Sequence, residues 1–244
     1  MNYNVQTETK EGEENKNMDI IKVLQQELQI GYQQAEAAVK LIDDGNTIPF
    51  IARYRKEVTG ALDDEVLRNL DERLKYLRNL EEKKEQVISS IREQEKLTPQ
   101  LEEQIRAAMT QVAVDDLYRP YRPKRRTRAM IAKEKGLEPL ADILFQQQIK
   151  EPAEKLAENY VSEEKGVASA QEALVGAKDI LAERISDNAQ FRTYIRKATI
   201  EQGMITSSAK DEKEESVYEM YYNYTEPVKR CVGHRVLALN RGEK

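Results

Sequence analysis

DDEVLRNLDERLKYLRNLEEKKEQVISSIREQEK, residues 63–96, decides the fold. Leu67, Leu70, Leu74 and Leu77 recur at spacings of three, four and three, and Val87, Ile88 and Ile91 continue the stripe. Apolar residues at such intervals mark one face of an α-helix. Asp64–Arg68 and Asp71–Lys75 are i,i+4 pairs with the acid first, the better orientation for a helix. The spacing therefore predicts one long helix opened by Asp63 or Asp64, on the order of 50 Å from end to end. A dimeric coiled coil is not expected. The heptad after Leu77 meets Glu81 and Lys84, so the seam ends after little more than one repeat. The element reads instead as a strut on which other helices pack.

The chain before the strut divides into short helices. Ile20, Ile21, Val23, Leu24 and Leu28 recur at helical spacing, and Gly31 ends that run. Ala35, Ala37, Ala38, Val39, Leu41 and Ile42 form a second stripe, stopped by Gly45 as a left-handed residue past the helix end. Thr47 as a cap and Pro49 in a first turn predict a third helix over about 48–56, ended by Thr59-Gly60. Residues 1–17 are polar, almost free of large apolar groups, and read as a disordered tail.

After the strut, Thr98-Pro99 restarts a helix through Leu101, Ile105, Ala108, Met109 and Val112. The basic, Pro-containing segment 118–126 interrupts it. Thr127 is placed to cap a short helix ending at Gly136, and further helices fit 138–147, 152–160 and 168–186. Asp187 with Gln190 resembles a capping box for a helix to about Gln202, with Gly203 past its end. Residues 204–209 suit a short extended piece, 211–216 an acidic linker, and 217–224 hold four tyrosines. The expected organisation is a tail (1–17), a helix-turn-helix-like unit (18–60), a helical domain (61–203) and a linker with the start of a further domain (204–244). The last element meets the chain end with no stop signal, so a piece of a longer protein is expected. The fold class is all-α or nearly so: a multi-helix bundle with a helix-turn-helix-like N-terminal unit and one long central helix.

Composition excludes several chemistries. The 244 residues include one His and one Cys, His234 and Cys231, too few for a zinc cluster or an internal disulfide. No GxxxxGK[ST] or GxGxxG loop occurs. The acids lie on expected helix faces beside Lys and Arg, unlike a carboxylate cluster for metal catalysis. No enzyme activity, metal or cofactor is expected. No signal peptide and no membrane-spanning run is present, so a cytoplasmic protein without membrane contact is expected. Net charge is −5, yet residues 117–135 carry eight Lys or Arg against one acid, a local +7.

Four ordered blocks are similar to a known family: DGNTIPFIARYRKEVTG (44–60), DLYRPYRPKRRT (116–127), KGLEPLA (135–141), and EP (226–227) through HRVLALNRG (234–242). In this order, from Met18 to Gly242, the chain resembles the N-terminal region of the bacterial Tex family of RNA-binding transcription accessory proteins, relatives of a eukaryotic elongation factor. The resemblance implies a helical region with a helix-turn-helix-like unit. It implies that the region precedes a degenerate RNase H-like domain, helix-hairpin-helix modules and a C-terminal S1 domain that carries much of the nucleic-acid binding. It implies no catalytic activity. Two departures stand out. Residues 1–17 precede the usual start near Met18, and Cys231-Val232-Gly233 stands where a proline-serine turn is expected.

The candidate site is the basic segment. Arg119, Arg122, Lys124, Arg125, Arg126 and Arg128 suit phosphates, and Tyr118 and Tyr121 suit stacking on unpaired bases. Pairing of those arginines with the chain's acids, or docking on further domains, is the competing reading. Arg53, Arg55 and Lys56 are weaker candidates, because cations at a helix C-terminus also complement its dipole. Ile48, Pro49 and Phe50 at the start of that helix lack base-reading groups, so Phe50, Ile51 and Tyr54 are expected to pack on the strut. The tyrosines at 218–224 read as anchors, and Cys231 and His234 as ordinary residues. The expected function is a non-enzymatic helical region that binds RNA, and secondarily DNA, through salt-dependent phosphate contacts. The expected protein partners are the transcription machinery and the C-terminal domains. The alternative is a protein-interaction scaffold with no nucleic-acid contact of its own.

Overall fold

The structure, a computed structural model, describes residues 18–148, 150–211 and 213–242. The tail expected over 1–17 lies outside the described residues. Among the described residues, thirteen α-helices and one two-stranded hairpin build two compact units that divide between Tyr121 and Arg122. The predominantly helical class is the one expected.

The first unit holds α1 (Ile20–Leu28), α2 (Tyr32–Asp43), α3 (Ile48–Tyr54), α4 (Lys56–Thr59), α5 (Asp64–Glu93), α6 (Pro99–Ala107), α7 (Gln111–Tyr118) and a closing 3-10 turn, Arg119–Tyr121. The strut is α5. Asp63 caps it, its Oδ1 accepting from the Val66 amide at 2.8 Å. Its Leu stripe buries two successive cores. Leu67, Leu70, Leu74 and Leu77 close over Leu24, Ala35, Ala38 and Ile51 from the helices before it. Leu80, Val87, Ile88 and Ile91 close over Ile105 and Val114 from the helices after it. Lys84, expected to break the seam, is itself buried at 1% exposure, paired with Glu81 at 2.7 Å.

Two stretches read as single helices are each two. Arg55 leaves helical geometry with φ −128, so the 48–56 run ends at Tyr54 and α4 follows. Ala108 is extended and Thr110 caps α7, which divides the run from Thr98 to Val112. Gln34 ties α2 to the end of α4. Its Oε1 accepts from the Gly31 amide at 2.8 Å, and its Nε2 donates to the carbonyls of Gly60 at 2.9 Å and Thr59 at 3.3 Å.

The second unit holds α8 (Arg128–Glu134), α9 (Glu138–Gln146), α10 (Ala153–Glu158), α11 (Ala170–Asp187), α12 (Ala189–Gln202), β1 (Met204–Ser208), β2 (Asn223–Pro227) and α13 (Gly233–Gly242). Small residues let α8 and α11 approach closely. Ala129, Ala132, Ala173 and Ala177 are buried with Leu137, Leu140 and Ile180. A side chain at Gly176 would bring its Cβ to 2.4 Å from Leu137 Cδ1. The cap of α12 is Asn188, whose Oδ1 accepts from the Phe191 amide at 3.0 Å, not Asp187. Gly203 follows the end of α12 at Gln202, as expected, with φ −68.

The extended piece after Gly203 is β1, paired antiparallel with β2 from Met204↔Pro227 to Ser208↔Asn223. The tyrosine cluster folds onto this hairpin. Tyr218, Tyr221, Tyr222 and Tyr224 are all half-buried. The Tyr222 hydroxyl bonds Ser216 Oγ at 2.8 Å, and the Tyr224 hydroxyl donates to Glu226. These rings are anchors, as the amphipathic nature of tyrosine suggests.

Candidate nucleic-acid interface

The segment 118–128 is positioned from both ends. At its start, α7 sets Tyr118 against the C-terminal half of α5. Tyr118 and Tyr121 pack on the core around Ile88 and Ile91, and the Tyr118 hydroxyl lies 3.0 Å from Ser90 Oγ. Gln94 Nε2 donates to the Tyr121 carbonyl at 3.0 Å. Both rings are half-buried. Arg119 is exposed within the 3-10 turn. Pro120 and Pro123 supply no amide donors, and residues 122–127 adopt no regular structure. At its end, Thr127 caps α8, its Oγ1 accepting from the Met130 amide at 3.1 Å.

Within the second unit the cations of this segment divide into two sets. Lys124 pairs with Asp187 and, at 3.4 Å, with Glu183. Arg128 pairs with Asp179 at 3.7 Å, and Arg126 with Glu134 at 2.7 Å. Asp179, Glu183 and Asp187 stand four residues apart on α11, one face of the helix. That acidic stripe is the feature that sequence reasoning misses, although its i,i+4,i+8 spacing is plain once α11 is drawn. Arg122 and Arg125 differ. Both are exposed, and among the described residues neither has an ion pair or hydrogen bond.

A second basic group lies on α3 and α4. Arg53, Arg55 and Lys56 are exposed, with no carboxylate partner among the described residues. Arg55 lies 4.9 Å over the Phe50 ring, and Phe50 is 5.3 Å from the Tyr54 ring. Of the three residues expected to pack on the strut, Ile51 is fully buried, Phe50 half-buried and Tyr54 exposed at 59%. Tyr54 faces solvent because α3 stops at it, a turn beyond its buried contact through Ile51.

Cys231 and His234 do not form a reactive pair. Burial and the Glu226 carboxylate push the Cys231 thiol up, away from the thiolate a nucleophile needs, and His234 is exposed. The Glu226 carboxyl is held below its usual range by bonds from Tyr224 within β2 and from Arg235, which ties β2 to α13. Among the described residues no group of three or more His, Cys, Asp or Glu is placed to hold a metal ion, and no helix is long and apolar enough to cross a membrane.

The chain matches the Tex-like protein N-terminal domain over residues 18–92 and the Tex central region-like family over residues 148–244, together well over half its length. The chain belongs to the Tex family. It is 48% identical to Bacillus subtilis YdcI over 89% of this chain and 31% of that protein. It is 45% identical to the transcriptional accessory protein Tex of Neisseria gonorrhoeae over 92% of this chain and 30% of that protein. It is 29% identical to the human S1 RNA-binding domain-containing protein 1, over 93% of this chain and 23% of that protein. The chain thus spans about a third or less of the length of these relatives. The block 44–60 falls in the Tex N-terminal match and the block 226–242 in the Tex central-region match. The basic segment 118–128 lies between the two.

Proposed function

We propose that this Tex-family region is a non-enzymatic helical module that contacts RNA through phosphates and holds the remaining domains of a transcription accessory protein in place. The observation that carries the reading is the exposure of Arg122 and Arg125 with no partner among the described residues, in an irregular segment suited to following a nucleic-acid backbone. Within the second unit, Lys124, Arg126 and Arg128 add to the positive charge beside Arg122 and Arg125. Lys124, Arg126 and Arg128 would contribute by exchanging protein carboxylates for phosphates. The contact is sequence-independent, so DNA is the second ligand to test. The similarity to a protein named for an S1 RNA-binding domain supports RNA as the first ligand to test.

The reading as a pure scaffold has one observation in its favour. Lys124 is already held by two carboxylates, as a structural residue would be. Fluorescence anisotropy of the chain with single-stranded RNA, single-stranded DNA and duplex DNA over a salt series separates the two. Binding that weakens with salt and falls in an Arg122→Glu/Arg125→Glu variant supports the phosphate contact. No binding by the unaltered chain at low salt leaves the scaffold.

A further inference from the structure

The α3–α4 surface carries an arrangement that the basic segment does not: an exposed ring among cations that have no carboxylate partner among the described residues. Tyr54 is 59% exposed and Val58 54%. Arg53 and Arg55 flank the ring in sequence, with Lys56 next, and the Arg53 guanidinium lies 6.0 Å from the ring centre; Phe50, 5.3 Å away and covered by Arg55, supports the ring from within the same helix. Among residues 48–60 the single acid is Glu57, so the patch is positive on a chain that is negative overall. The dipole of a seven-residue helix accounts for one cation near its end, but not for three. A charged, ring-bearing surface suits a polymer with alternating π-faces and phosphates.

We infer that the surface formed by Tyr54, Arg53, Arg55 and Lys56 is a stacking site for an unpaired base of single-stranded nucleic acid, with the three cations on the flanking phosphates. The inference rests on the reading of this region as nucleic-acid-binding, but it uses residues separate from Arg122 and Arg125. The duplex is disfavoured because its bases present no free face to Tyr54.

The test uses the whole chain with a short oligouridine containing 4-thiouridine, photocrosslinked and mapped by mass spectrometry, alongside anisotropy. The expected result is an adduct on the peptide carrying Tyr54. Tyr54→Ser should lower affinity about five- to 150-fold, the range for loss of one stacked base, and Tyr54→Phe should retain it. Arg53→Glu with Lys56→Glu should reduce the salt slope by about 0.7 for each phosphate that is no longer neutralised. Unchanged RNA affinity in Tyr54→Ser, as a protein-docking face would give, overturns the inference. A drop in affinity confined to Arg122→Glu/Arg125→Glu overturns it too, while leaving the proposed function standing. Failure of the unaltered chain to bind RNA overturns both.

Discussion

The ammonium of Lys84 donates to the backbone carbonyl of Arg106 at 2.7 Å from a side chain that is fully buried. Arg106 lies in the last turn of α6, where helix carbonyls have no partner within the helix. The residue that ends the leucine seam of α5 thus closes the helix packed against it. Glu81 completes the arrangement, accepting from Lys84 at 2.7 Å and from the Met18 amide at 3.3 Å. A strut with a polar stop of this kind favours one docking position for α6, because a one-turn shift would strand a charge in the core.

Lys84→Met tests this relationship. The substitution keeps the volume but leaves the Arg106 carbonyl without a donor and Glu81 without its partner. The expected cost is about 2–4 kcal/mol, read as a lower urea midpoint at unchanged slope. Adding Glu81→Gln should recover about 1 kcal/mol by removing the orphaned charge. A variant as stable as the original would show that Lys84 does not close α6.

Two glycines in the first unit adopt left-handed backbone, yet they should respond differently. Gly45 has φ +83 with nothing near a built Cβ, so Gly45→Ala should cost only the backbone strain, about 1 kcal/mol. Gly60 has φ +60, and its Cβ would stand 2.7 Å from Gln34 Nε2. Gly60→Ala should also break the two carbonyl bonds from Gln34, for about 2–3 kcal/mol in all. Equal costs in thermal melts would mean that Gln34 adapts and does not hold α2 to α4.

The fork between Arg78 and Asp43 gives a pH dependence with a definite sign. Nη1 and Nη2 meet Oδ1 and Oδ2 at 2.7 and 2.8 Å, and this bond holds the Asp43 carboxyl below its ordinary 3.8. The unfolded chain therefore binds the proton more readily, and stability rises with pH through this window. The contribution is complete above the ordinary value and is lost as pH falls through the lower native one. Both side chains are nearly half exposed, so it amounts to less than about 1 kcal/mol. The stability gap between the original chain and Arg78→Gln should therefore close from pH 5 towards pH 2. A gap constant across that range would assign the Arg78 contribution to packing.

Local punctuation is legible in the sequence because its causes are local. Gly45 does take left-handed backbone, Thr127 does cap the helix that follows it, and the leucine spacing of α5 does trace its buried face. What is not legible depends on pairing across long separations. Asp187 is as good a cap residue as Asn188, but it is the last residue of α11 and pairs with Lys124, 63 residues away, while Asn188 takes the extended backbone that caps α12. Pairings of this kind, with Arg126 on Glu134 and Arg128 on Asp179, leave Arg122 and Arg125 as the exposed arginines of the segment that have no partner among the described residues. Periodicity misplaces Tyr54 because it fixes the ring's direction around α3 but not where the neighbouring core ends.

Gly176 provides a test confined to the second unit. A Cβ there would meet Leu137 Cδ1 at 2.4 Å and Ala132 Cβ at 3.2 Å, so Gly176→Val forces α11 away from α8. Overpacking of this kind costs about 1–3 kcal/mol or more. Because α5 is buried by elements of the first unit, amide exchange at Leu74 and Ile88 should remain slow while α8 and α11 exchange faster. Equal acceleration in both would mean that the two units open as one cooperative body.

The division of the basic segment predicts which charge reversals report on binding and which report on folding. Lys124→Glu places a third carboxylate beside Glu183 and Asp187, and should lower stability by about 1–3 kcal/mol. Any weakening of RNA binding in that variant is then a change of shape as well as charge. Arg122→Glu and Arg125→Glu meet no internal partner and should change stability by less than about 0.5 kcal/mol. If phosphates are bound here, these two should lower affinity uniformly across RNA sequences and reduce the salt slope by about 1.4 together, at about 0.7 per neutralised single-strand phosphate. Thermal melts and anisotropy on the same three variants separate the outcomes. Stable Arg122 and Arg125 variants that bind as the original does would leave the segment as an internal brace, with Lys124 as its clasp on α11.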